Sequence, residues 1–260
     1  MNRLGFIGMG NMAQAIASGF IEKNILSAES ISAYAPNAEK LDANALRIGF
    51  VAVHDIEELV NACDTIIMAC KPYQIESVLE QIGSKLSGKT LISIALGWNY
   101  SKYMTYLSGD VRVQFVMPNT PAQIGEGVFL FEKSNSLTAK DRMQIMDAFS
   151  KLGLVREMPD ELMGIGGAIT GCGPAFVDLF IEALGDAAVK YGIPRAAAYE
   201  LVSQTIAGSA KLQLETGTHP GVLKDAVCSP GGSTIRGVTA MEEAGFRAAT
   251  MAAIDSIMKK

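Results

Sequence analysis

The sequence predicts an α/β protein in two parts: a doubly wound sheet over residues 1–160 and an all-helical domain over residues 161–260. Three observations predict it. The stretch Arg3 to Ala13, RLGFIGMGNMA, runs from a short apolar strand through a glycine turn straight into a helical pattern. Apolar runs and amphipathic helical patterns then alternate as far as Arg156. From Leu162 onward no strand pattern recurs.

The elements follow in order. Leu4, Phe6 and Ile7 end at Gly8-Met9-Gly10, and Ala13 to Glu22 carries apolar residues at helical spacing. Ile31 to Tyr34 reads as a second strand, Ala35-Pro36-Asn37 as a turn, and Glu39 to Ile48 as a helix. Phe50 to Val53 is a third, weakly alternating strand and Ile56 to Ala62 a short helix. Thr65 to Ala69 is a continuous apolar run, the pattern of a central parallel strand buried on both faces. Tyr73 to Ile82 is helical. Lys89 to Ala95 and Val111 to Met117 complete the parallel set. Gly127 to Phe131 and Gly153 to Arg156 read as extra strands around a helix at Thr138 to Leu152. In the C-terminal part, Pro174 opens a helix to Tyr191, with the proline at a permitted first-turn position. Arg195 to Thr216 is a second long helix and His219-Pro220 starts a shorter one to Val227. Ser229 to Thr234 forms a loop that opens another, and Gly245 precedes the last. These helices are rich in Ala, Gly and Leu on more than one face, so they are expected to bury apolar surface against a second copy of the chain.

Composition bounds the function. The 260 residues are 49% hydrophobic and 19% charged, which suits a packed core. A net charge of −5 argues against a general nucleic-acid or membrane-surface role. No uninterrupted apolar run of about 18 residues is present, so no membrane span is expected. The first residues lead directly into a strand with no signal-peptide pattern, and a cytoplasmic protein is expected. The four cysteines, Cys63, Cys70, Cys172 and Cys228, form no C-x-x-C pair and suit neither zinc nor a disulfide framework. With only His54 and His219, a histidine metal site and a Ser-His-Asp mechanism are both disfavoured.

Gly8, Gly10 and Ala13 fit the dinucleotide fingerprint G-x-G-x-x-G/A. Gly8 permits the tight turn, Gly10 lets backbone approach a pyrophosphate, and Ala13 lets helix and strand pack closely. The amides at the helix start then face the phosphates. The second strand ends at Tyr34-Ala35-Pro36-Asn37 with no Asp or Glu to take a ribose 2′-hydroxyl. This favours NADP over NAD, with Asn37 and, one helical turn on, Lys40 as partners for a 2′-phosphate. Ala69-Cys70-Lys71-Pro72 places a lysine at a third strand end. Met117-Pro118-Asn119-Thr120-Pro121 is stiffened by two prolines and is a candidate for positioning the nicotinamide end. Thr170 to Ala175 and Pro230 to Thr234 are both read as glycine-rich loops at helix N-termini, suited to a carboxylate.

Taken together, GFIGMGNMA, ACKP, MPNTP, TGCGPAF and SPGGST occur in the order found in pyrroline-5-carboxylate reductases, and the resemblance spans nearly the whole chain. It implies a Rossmann domain, a helical dimerisation domain and larger assemblies of dimers. The implied reaction is reduction of Δ1-pyrroline-5-carboxylate to L-proline by hydride transfer from NAD(P)H, and the acid-free end of the second strand makes NADP(H) the expected cofactor over NAD(H). On matching positions, Ile7, Gly8, Met9, Gly10, Asn11 and Met12 resemble the pyrophosphate loop. Ala35 and Asn37 resemble the adenosine-ribose contacts, and Ala69, Cys70, Lys71 and Pro72 the strand end lining the cofactor. Gly231, Gly232, Ser233 and Thr234 resemble the loop holding the substrate carboxylate, with Thr234 as the catalytic contact to the ring nitrogen. The chain departs from the family pattern at Cys172 and Phe176, where Ser and Tyr are common. It departs again at Phe115, where an arginine often stands, and the family's acidic residue corresponds to Asp160 or Glu161. Two other readings are a reductase of another cyclic imine or of a β-hydroxyacid, and a non-catalytic nucleotide sensor; a β-hydroxyacid enzyme needs a catalytic lysine, for which Lys190 and Lys211 are available with no matching motif around them.

Overall fold

The computed structural model describes residues 2–107 and 109–259. Eight strands form one sheet in the order β3-β2-β1-β4-β5-β6-β7-β8. They are β1 (Leu4–Ile7), β2 (Ile31–Tyr34), β3 (Val51–Ala52), β4 (Thr65–Met68), β5 (Thr90–Ser93), β6 (Arg112–Met117), β7 (Gly127–Asn135) and β8 (Gly153–Met158). The first six are parallel, and β7 pairs antiparallel to β6 and parallel to β8. The order 3-2-1-4-5-6 reverses direction between β1 and β4, which creates the crevice where such sheets bind ligands.

Helices α1 (Asn11–Glu22), α2 (Ala38–Ile48), α3 (Ile56–Ala62), α4 (Ile75–Ile82), α5 (Tyr100–Tyr103) and α6 (Ala139–Ser150) connect the strands. In α1 the spacing Ala13, Ile16, Ala17, Phe20 makes one buried stripe. Asn24, at φ 53°, follows its end. Two layers of core lie on opposite faces of the sheet. One centres on Phe149, whose ring meets Phe20, Phe129 and Phe131 at 5.3, 5.0 and 5.7 Å. The other contains Trp98 and Tyr103, 5.1 Å apart.

Strand β7 runs beyond Phe131, where its polar residues gave no strand signal, and this buries Glu132 at 1% exposure. Its carboxylate accepts the Tyr100 amide at 2.8 Å. Burial, with a smaller contribution from Asp160, holds its pKa above the ordinary value near 4.5. A raised folded-state pKa means that the native state binds the proton more tightly than the unfolded chain. Stability is therefore lost as pH rises from about 4.5 towards the raised value. Glu132→Gln, which keeps an acceptor for Tyr100, is expected to melt above the wild type at pH 8 and to lose that advantage at pH 4. Equal melting temperatures at both pH values would refute this.

The chain divides into two compact units, residues 1–171 and 172–260. The second is wholly helical: the rest of α7 (Met163–Lys190), then α8 (Arg195–Thr216), α9 (Pro220–Ala226), α10 (Ser233–Glu243) and α11 (Phe246–Met258). Helix α7 starts eleven residues earlier than Pro174. The expected glycine-rich loop Thr170 to Ala175 is therefore helix interior, and it presents no helix N-terminus to an anion. The reason lies in the first unit, on which the start of α7 packs. Gly166 lies against Leu130 and Gly167 against Met117, while Met163 and Ala168 are buried. Among the described residues of the second unit only Gly185 and Ala198 are buried. The segment Asp160–Lys190 is also long and apolar enough, by length and composition, to cross a membrane.

Candidate functional site

A cleft of about 530 Å³ opens at the carboxyl ends of β1, β2 and β4. Its floor is the glycine turn. The Gly8 amide donates to the Tyr34 carbonyl at 2.8 Å and the Ala69 amide to the Ile7 carbonyl at 2.8 Å, joining three strand ends. Gly8 has φ +96°, and a Cβ there would lie 2.6 Å from the Cys70 backbone nitrogen. Gly10 is different. It caps α1 with extended backbone, and a Cβ on it would meet no protein atom within 4 Å. No side chain caps α1 and no acid stands in its first turn, so its first amides are left for a ligand.

Ile7, Gly8, Met9, Gly10, Ala35, Asn37, Ala69, Cys70 and Lys71 all line this cleft. Three residues expected with them do not. Asn11 contributes a free first-turn position of α1, Met12 packs on the core, and the Pro72 carbonyl accepts the Trp98 indole N–H at 3.0 Å. Among the described residues no carboxylate lines the cleft, while Lys40 and Lys71 both do. The Asn37 side-chain oxygen accepts the Lys40 amide at 2.9 Å, which leaves the NH₂ group of Asn37 as a donor in a wall that Lys40 also lines. The walls hold residues that sequence reasoning missed: Asn44 on α2, Ile56 on α3, and Gln74 and Gln81 near and on α4. None carries a local signal, because each is placed by helix packing. Burial pushes the Cys70 thiol up to about 11, so it is an inert part of the lining. The open space over Gly10, the uncapped helix start and the all-cationic charge fit a phosphorylated dinucleotide.

In the second unit, Ser229 to Thr234 does open a helix. Gly231 takes φ +68°, a left-handed conformation, and its carbonyl accepts Arg236 Nη1 at 2.9 Å. Helix α10 begins at Ser233 with Gly232 as cap, no side-chain cap and no acid in its first turn. The Gly232 amide is used within the turn, donating to the Ser229 carbonyl at 3.0 Å. The first-turn amides of Ser233, Thr234 and Ile235 have no intrahelical acceptor. Ser233 and Thr234 are exposed, and Arg236, which sequence reasoning overlooked, adds a cation to the loop. Of the departures, Phe115 is buried against Leu130 and Met163, and Asp160 accepts the Ser134 amide at 3.0 Å.

Residues 160–260 match the family domain described as pyrroline-5-carboxylate reductase dimerisation, and residues 3–97 match NADP oxidoreductase coenzyme F420-dependent. The pyrroline-5-carboxylate reductase of Treponema pallidum is 39% identical, over 96% of this chain and 97% of its own. That of Escherichia coli is 38% identical, over 99% and 96%. The crystal structure of the Plasmodium falciparum pyrroline carboxylate reductase with NADP bound superimposes with a TM-score of 0.89 at 36% identity, covering 98% of this chain and 95% of that one. With a cleft built for a phosphorylated dinucleotide, a dimerisation domain and likeness along its whole length, the chain belongs to the pyrroline-5-carboxylate reductase family.

Proposed function

We propose that the protein reduces Δ1-pyrroline-5-carboxylate to L-proline, the last step of proline biosynthesis, with NADPH as the preferred hydride donor and NADH as a usable one. The observation that carries this reading is the pairing, in a chain 39% identical to such a reductase over nearly its full length, of two anion-accepting helix starts. One serves a dinucleotide and the other a small carboxylate. The NADPH preference is supported by the carboxylate-free wall and by Asn37 and Lys40 at the end of β2.

Bound NADPH supplies hydride from C4 of its nicotinamide. A cyclic imine protonated on nitrogen is already electrophilic at the C=N carbon, and after hydride addition the nitrogen keeps its proton as an amine. The protein has to orient and neutralise. The Gly8–Met12 turn holds the pyrophosphate. The free amides of the Gly231, Ser233 and Thr234 backbone, with Arg236 beside them, hold the substrate carboxylate. The Thr234 hydroxyl hydrogen-bonds the ring nitrogen. Self-association of the helical unit accounts for its exposed apolar surface, and assemblies larger than a dimer accord with it. Four unpaired cysteines accord with a reducing, cytoplasmic setting.

The test is oxidation of NADPH, and then NADH, at 340 nm with Δ1-pyrroline-5-carboxylate, with proline identified as product. Turnover is expected with both cofactors, at lower KM with NADPH. Thr234→Ala is expected to lower kcat by roughly 10²-fold, the scale for removing one oriented hydrogen-bonding group at a reacting centre. Unchanged kcat and KM in that variant would remove Thr234 from the chemistry. Absence of turnover with either cofactor would remove the reaction itself.

A further inference from the structure

Two stretches that line no part of the dinucleotide cleft meet in the first unit. Helix α7 continues through Pro174, which has no amide hydrogen. The carbonyl four residues back, that of Thr170, therefore lacks its helical donor. The side-chain amide of Asn119, at the carboxyl end of β6, donates to that carbonyl at 3.0 Å. The other end of the same amide accepts the Val128 N–H, at the start of β7, at 2.8 Å. Asn119 is 7% exposed, and with a donor and an acceptor both engaged its orientation is determined. Gly166 and Gly167 give the approach, since a side chain on either would collide with Leu130 or Met117.

We propose that Asn119 is a positioning residue for the reaction: it supplies to Thr170 the hydrogen bond that Pro174 withholds and so fixes the Thr170–Gly171 segment of α7 beside the carboxyl end of β6. Carboxyl ends of the strands are where such sheets bind their ligands. Gly171 and Gly173 each have empty space where a side chain would stand. The backbone of Gly171 is thus held, uncovered, next to the Met117–Pro121 turn. Two prolines stiffen that turn, and Asn119 ties it to α7. The cleft that holds the adenosine end of the dinucleotide does not include Asn119. This inference rests on the reductase reading.

The experiment is a double-mutant cycle of Asn119→Ala and Pro174→Ala, assayed for pyrroline-5-carboxylate reduction and for thermal midpoint. Asn119→Ala is expected to lower kcat about ten-fold, since displacement of a supporting element by a fraction of an ångström is costly. The KM for NADPH is expected to stay within about two-fold, because the cleft is untouched. Pro174→Ala alone is expected to stay close to wild type. In the double variant the new amide at residue 174 donates to Thr170, and most of the lost kcat is expected to return. Loss of the Val128 contact is common to both backgrounds and cancels. Asn119→Asp adds a pH readout. The carboxylate cannot donate but the acid can, so kcat of this variant is expected to recover as pH is lowered from 8 to 6, unlike that of the wild type. Multiplicative losses in the cycle, or a variant with lowered midpoint and unaltered kcat, would overturn the proposal. An inactive wild type would instead sink the assigned reaction. The non-additivity would then still be expected in the thermal midpoints, and additive midpoints would overturn the bridge itself.

Discussion

Gly8→Ala and Gly10→Ala are expected to fail in opposite ways, although both strike the same fingerprint. At Gly8 the new Cβ would lie 2.6 Å from the Cys70 nitrogen and 2.7 Å from the Ala69 carbonyl carbon, at a φ of +96°. Those neighbours are backbone just past the end of β4, tied to β1 by the Ala69 amide on the Ile7 carbonyl. They move only if the two strands part. Left-handed strain contributes about 1–3 kcal/mol and overpacking a similar amount, so a loss of about 3 kcal/mol or more is expected. The variant should melt far below the wild type and bind NADP⁺ weakly. At Gly10 the backbone is extended, φ −76°, and the added methyl meets no protein atom within 4 Å. Its melting temperature should match the wild type closely. Its affinity for NADP⁺, measured by calorimetry, should fall by about ten-fold or more, because the methyl occupies the space the pyrophosphate enters. If Gly10→Ala bound NADP⁺ as tightly as the wild type, the pyrophosphate would not approach that residue.

The contrast also explains which features were legible in the sequence. A local pattern sufficed wherever one residue's neighbours in the chain decide its structure. The spans of β2, α3 and α8 follow from apolar runs or helical spacing between caps, and Gly8 follows from a turn that only a left-handed residue can make. The start of α7 was not legible. A proline after Thr-Gly-Cys-Gly resembles a helix opening, but here it lies inside α7. What carries the helix through Pro174 is Asn119, a donor 51 positions from the Thr170 carbonyl it serves, together with glycines shaped to Met117 and Leu130. Strand β7 was cut short for a related reason. Glu132 reads as polar and exposed until Tyr100, from a different connection, supplies its partner.

The site was legible in the same proportion. Its floor came from the glycine fingerprint and its missing acid from the end of β2. The walls, Asn44, Ile56 and Gln74, belong to helix faces whose direction is set by packing on the sheet. The Gly231–Thr234 loop keeps its helix start, but the Gly232 amide is spent inside the turn. Counting glycines does not reveal which amides remain free.

Leu201→Asp is expected to break the assembly while leaving the single chain folded. In the helical unit a groove of about 590 Å³ runs between α7 and α8, lined by Phe180, Leu184, Ile193, Leu201 and Ile206. Leu201 is 57% exposed in the single chain, so a charge there costs the monomer little, on the order of 0.5 kcal/mol. A unit of nearly ninety residues with only Gly185 and Ala198 buried among those described leaves most of its apolar surface for a second copy to cover. A second copy that covers the groove would enclose the carboxylate without a partner, and an unpaired buried charge costs several kcal/mol. At about 1.4 kcal/mol per ten-fold, the association constant should drop by roughly two orders of magnitude or more. Sedimentation velocity at micromolar concentration should show the wild type associated and Leu201→Asp shifted to monomer. Reductase activity should fall with it, since the loop proposed to hold the substrate carboxylate belongs to the same thinly packed unit. Leu46→Asp, on α2 and 92% exposed, is the control that should change neither. If Leu201→Asp sedimented as the wild type does, that groove would not be the seat of the second copy. A wild type that is monomeric would leave the helical unit's apolar surface in need of a different partner. The length and hydropathy of Asp160–Lys190 would then make lipid the next to test, by vesicle flotation.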